Sequence, residues 1–111
     1  MSRPVLVLAV SSTAILVKTG PCKVKAIQFH NDAATDAYLQ MFDAAQAADV
    51  TVGTTVPQWA PGAHATAGGD DVVDLTGLEL FFANGLVVAS CTTPDGNTGS
   101  AQLGVNLALD D

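Results

Sequence analysis

The sequence predicts an all-β domain, an antiparallel β-sandwich or jelly-roll-like body of about eight short strands. Three observations carry this. Short runs rich in valine, isoleucine and threonine recur along the chain, each closed by a glycine, proline, asparagine or serine turn signal. Asn84-Gly85 stands between two apolar runs, the strongest short hairpin signal a sequence offers. Residues 101–109 alternate, with Leu103, Val105, Leu107 and Leu109 on one face, the period-2 pattern of a half-buried strand.

Taken in order, Pro4–Val10 and Thr13–Lys18 read as strands separated by Ser11-Ser12, and Thr19-Gly20-Pro21 turns the chain. In Lys23–His30, Val24 and Ala26 fall on one face but Ile27 and Phe29 on the other, a phase change that predicts a bulge or a strand covered on both sides. Residues 32–49 are ambiguous. Seven alanines, with Tyr38, Met41, Phe42 and Ala45 at helical intervals, favour a helix locally. The β pattern around them favours a strand over 37–43, leaving at most a short helical turn near 44–49. Val50–Thr54 reads as a compact strand, and Val56-Pro57 opens an edge-like segment through Trp59. A loop over 61–69 follows. Asp71–Leu75 and Leu78–Ala83 are strands, the latter entering the expected hairpin with 86–88. Residues 93–100 form a polar loop tip.

The chain has 111 residues, one domain's length, and the expected division is an extended N-terminal arm or strand (1–18) followed by one sandwich domain (19–111). Charged residues make up 14% of it, against about 25% in an average domain. This leaves a weakly polar surface suited to packing against other molecules. All four basic residues (Arg3, Lys18, Lys23, Lys25) precede all eleven acidic ones, and the net charge is −7. Binding nucleic acid needs a basic face, and so does an anionic membrane surface; neither partner is expected. The acidic part serves either solubility or the steering of a partner. Arg3 with Val5–Val10 has the outline of a short secretory signal, yet Ser11, Ser12 and Thr13 interrupt the apolar run and no small-x-small cleavage site follows. No stretch approaches the ~18 apolar residues of a membrane span. Cys22 and Cys91 match no zinc or CxxC spacing. A disulfide stays open from sequence, with two buried free thiols the expectation for a protein assembled in cytoplasm.

No catalytic, cofactor-binding or metal-ligating constellation emerges, so no enzyme and no cofactor are expected. His30 ends an apolar strand and reads as a partly buried polar residue; His64 lies in a Gly/Ala-rich loop. Asp70, Asp71 and Asp74 form the densest carboxylate group, but the calcium-loop pattern is missing and a solvated loop end is the simpler reading. Asp95-Gly96-Asn97 reads as a turn. Phosphate-loop, dinucleotide and nucleophile-elbow motifs are lacking. Adjacent Phe81 and Phe82 point to opposite faces of a strand, so one needs a cover outside the core. Together with Trp59 and with Arg3, Val5 and Val7 of the arm, Phe81 and Phe82 are the candidate contacts with another subunit or a partner protein.

The segment 24–57 resembles a group of small phage and prophage proteins found among virion genes. Asn31, Ala34, Tyr38, Leu39, Phe42, Asp43, Val50, Thr51, Gly53, Thr54, Thr55 and Pro57 carry the resemblance. Leu75, Gly85 and Leu86 continue it loosely, since Leu75-Thr76-Gly77-Leu78-Glu79 departs from the group's Pro-Gly-x-x-Phe pattern. The resemblance implies a β-sandwich virion component. The expectation is a capsid decoration (cement) protein that binds the major capsid protein or another virion protein as a homo-oligomer such as a trimer. A neck, tail or head-fibre component, or a glycan- or receptor-binding module, is the alternative.

Overall fold

A computed structural model describes residues 2–31, 36–63, 69–74, 80–99 and 103–110, with side chains for all of these except 2–9, 29, 63 and 69–74. Among them run the strands β1 (Ser2–Val10), β2 (Ile15–Thr19), β3 (Cys22–Asn31), β4 (Ala37–Asp43), β5 (Gly62–Ala63), β6 (Gly69–Asp74), β7 (Leu80–Phe82), β8 (Gly85–Cys91) and β9 (Leu103–Asp110). One 3₁₀ turn, Ala47–Asp49, lies between β4 and β5. Residues 37–43 are a strand. The surrounding sheet overrides the local helical preference, because Leu39 and Met41 are then buried on one face and Gln40 and Phe42 on the other.

Two antiparallel sheets result. The first has the order β1-β9-β3-β6, with β7 also pairing β3; the second has the order β2-β8-β4-β5. The pairing is nested: β1 with β9, β2 with β8, β3 with β6, β4 with β5. A chain folded back on itself as one long ribbon, with successive strands assigned alternately to two sheets, gives this order. That wrapping is the jelly roll. The segment expected as an extended arm or strand carries β1 in the first sheet and most of β2 in the second, each paired within its own chain. The β3 phase change is a bulge, seen as a register shift between Val24 and Ala26 against β9. The shift lets Val24 and Ile27, three positions apart, both face the core.

The core between the sheets gathers Val24, Ile27, Leu103, Val105, Leu107 and Leu109 from the first and Leu39, Met41, Leu86 and Val88 from the second. A smaller cluster, Phe42, Ala44, Val87 and Ala89, lies on the other face of the second sheet, under Ala47, Val50 and Val52. The middle strands β4 and β8 of the second sheet are therefore covered on both faces, and every residue of β8 is buried.

Two expectations are corrected. Asn84-Gly85 does not close a hairpin. β7 pairs β3 in the first sheet while β8 pairs β2 and β4 in the second, so the short link carries the chain between sheets. The glycine is needed for space and backbone: Gly85 has φ +151°, and a Cβ there would stand 2.5 Å from the Ala44 carbonyl oxygen and 2.6 Å from that of Lys18. The backbone N–H of Asn84 donates to Asp43 Oδ1 (2.8 Å), its carbonyl accepts from Gly20 N–H (3.0 Å), and that of Gly85 accepts from Ala44 N–H (3.2 Å). Val50–Thr54 is a turn, not a strand. Thr54 and Thr55 N–H both donate to the Thr51 carbonyl (2.9 and 2.8 Å), and Thr51 N–H donates to Thr55 Oγ1 (2.9 Å). The edge of β4 that such a strand would need is taken by the following segment: Met41 N–H donates to the Trp59 carbonyl (2.8 Å) and Leu39 N–H to that of Pro61 (2.9 Å). Threonine hydroxyls and Gly53 at φ +92° then complete a local turn.

Candidate interaction surface

Phe81 and Phe82 separate as adjacent strand residues must. Phe82 is fully buried in the core, which removes it from the contact candidates, while Phe81 is 49% exposed. Trp59 is half-buried and packs on the core from the second sheet's edge. Arg3, Val5 and Val7 are register partners of Leu109, Leu107 and Val105, the buried face of β9; their own side chains lie outside the described set.

Sequence reasoning missed Val56. It is 82% exposed, and Gln58 Nε2 two residues on donates to the Phe81 carbonyl at 2.7 Å, tying this segment to β7. Nothing in its spacing marks it as a contact, because the sequence reads as a strand over 50–54 followed by an edge-like segment opening at Val56. Beside it opens a cleft of about 480 Å³, lined by Phe42, Asp43, Asp49, Val50, Val56 and Asn84 among others. Its lining mixes apolar side chains with polar ones, two of them carboxylates, and includes no lysine or arginine. Asp43 Oδ1 is engaged by the Asn84 backbone, and Asp49 Oδ1 accepts from Gln46 at 3.4 Å.

On the first sheet's outward face, Phe81, Lys23 and Asp110 lie in one register row, and Lys25 Nζ stands 3.9 Å from Asp110 Oδ2. Asn106 Nδ2 donates to Gln28 Oε1 at 3.2 Å on the same face, beyond the Ala26–Ala108 row. His30 is exposed on this strand, not partly buried as expected, since it falls on the outward phase of β3. His64 lies outside the described residues. Asp70, Asp71 and Asp74 sit within β6, a strand and not a loop end, because the β3 edge beside them takes their backbone into the ladder. Among the described residues no group of three or more His, Cys, Asp or Glu is placed to hold a metal, and no helix is long and apolar enough to cross a membrane. Cys22 and Cys91 are buried and not joined in a disulfide, and burial pushes the Cys91 thiol above its ordinary pKa.

No protein-family model matches the chain, and no curated protein matches it. Among solved structures it is similar to the Tobacco streak virus coat protein, in a C2 crystal form at 16% identity and a TM-score of 0.36, over 97% of this chain and 86% of that one. It is likewise similar to the Tobacco streak virus coat protein dimer at 14% identity and a TM-score of 0.34, over 97% of this chain and 84% of that one. A likeness this loose leaves the function to be argued from the chain itself.

Proposed function

We propose that this chain is a structural component of a virus particle, a decoration (cement) subunit that binds the major capsid protein of a phage head as a homo-oligomer such as a trimer. The observation that carries this reading is a jelly roll with a closed core that still presents Phe81 and Val56 outward, on segments joined by the Gln58–Phe81 hydrogen bond. Core closure leaves these residues without a folding role, and apolar groups held out by a rigid body are the usual anchors of a protein interface. The low charged content and the resemblance of residues 24–57 to phage virion proteins support the same reading. β1, the end strand of its sheet, offers an edge for strand addition to a neighbour. The half-buried position of Trp59 against the core counts against a glycan-binding module built on that indole.

The test is to image particles from an infected host by electron cryomicroscopy and count the copies of this chain. Many copies spread over the head, with heads that lose heat resistance when the chain is removed, support the decoration role. Copies confined to one vertex or to the tail overturn it in favour of a neck or tail component, and particles lacking the chain overturn the virion reading altogether.

A further inference from the structure

We infer that the cleft beside Val56 is a docking site for a basic side chain, a lysine or arginine with aliphatic flanks presented by a partner protein; this deepens the docking role proposed above and rests on it. Three features select that occupant. The volume of about 480 Å³ is within the ~300–1,000 Å³ typical of binding sites and leaves room for a long side chain with its neighbours. The accessible apolar part of the lining, Ala45, Val50 and Val56, suits an aliphatic stem, while Asp43 and Asp49 suit its charged head. No lining residue supplies a positive charge, so an anionic ligand is opposed by both carboxylates.

Two competing occupants fit less well. A sugar ring would need an open aromatic face, but Phe42 is 1% exposed and Trp59 does not line the cleft. A second copy of this chain, with four basic residues against eleven acidic ones, has few cationic groups to bring to this cleft, whichever surface joins the copies. A basic partner is drawn in by the net charge of −7.

The experiment is an amide-resolved NMR titration of the whole chain with an acetylated, amidated Val-Lys-Leu-Arg-Val peptide, and with its Glu-for-Lys and Glu-for-Arg analogue. Support is saturable shifts at residues 43–58 and 84 with the basic peptide and none with the acidic one. Asp49→Asn, at an exposed position, should weaken binding roughly fivefold, the size of a partly exposed ion pair. Asp43→Asn keeps an oxygen for the Asn84 N–H and should weaken binding similarly without unfolding. The inference is overturned by no saturable shift, by shifts centred elsewhere, by equal binding of Asp49→Asn, or by shifts of the same amides on simple concentration of the chain, which would assign the cleft to a second copy. Particle imaging reads the proposed function separately: heads decorated by a chain whose cleft ignores the peptide would sink this inference alone.

Discussion

Gln40 Nε2 donates to two backbone carbonyls of one distant loop, those of Thr93 (3.1 Å) and Gly96 (3.0 Å), from a fully buried position on β4. Gln40 Oε1 has no partner among the described residues. Each of these part-buried bonds is worth about 0.5–1.5 kcal/mol net. Gln40→Leu should therefore lower stability by about 2 kcal/mol in urea unfolding and lose hydrogen-exchange protection first at 92–98. Gln40→Glu should be worse at neutral pH, where a carboxylate would face two carbonyl oxygens. Burial raises that glutamate's folded pKa above its unfolded value, so the variant should gain stability as pH falls from 7 toward 5. A Gln40→Glu variant as stable at pH 7 as the native chain would contradict the assignment.

The link between sheets depends on a missing side chain. Gly85→Ala should cost at least about 3 kcal/mol, since its Cβ would meet two carbonyl oxygens at a positive φ. Gly20, at φ +89° with nothing within 4 Å of its would-be Cβ, isolates the conformational part, and Gly20→Ala should cost about 1 kcal/mol. Thermal melts of the two variants compare these effects directly. Equal melting points would mean that crowding at Gly85 is relieved cheaply.

The two adjacent phenylalanines should separate stability from association. Phe82→Ala should lose about 3–5 kcal/mol as a core cavity opens. Phe81→Ser should stay within about 0.5 kcal/mol of the native chain and yet fail to co-sediment with particles. Undiminished co-sedimentation would remove Phe81 from the interface.

Cys22 and Cys91 should be silent in the native protein. Burial of both, and the raised pKa of Cys91, predict slow reaction with a disulfide reagent at pH 8 and fast release of two thiol equivalents in urea. Rapid native labelling of Cys91 would show that the end of β8 opens readily.

Strand faces were the most legible part of the chain. In β9 the alternation of leucine and valine matches the burial of Leu103, Val105, Leu107 and Leu109, and in β3 the break in phase foretold the bulge. Both are local consequences of a period of two. The cleft was not legible. Its lining residues Phe42 and Val50 looked like parts of two strands, and Val56 like the start of a third; only the turn at 51–55 brings them round one opening.

By itself, the order of residues determined that this chain would be β-rich, which face its cleanly alternating last strand would bury, and that no charge pattern for nucleic acid was present. Tertiary structure alone decided where each strand found its partner. Asn84-Gly85 shows why: a tight turn specifies that the chain bends, but the strands it joins bond wherever open edges are offered, and here β3 offered one to β7 while β2 and β4 enclosed β8. Pairing is a property of edges far apart in the chain, and no local preference encodes it.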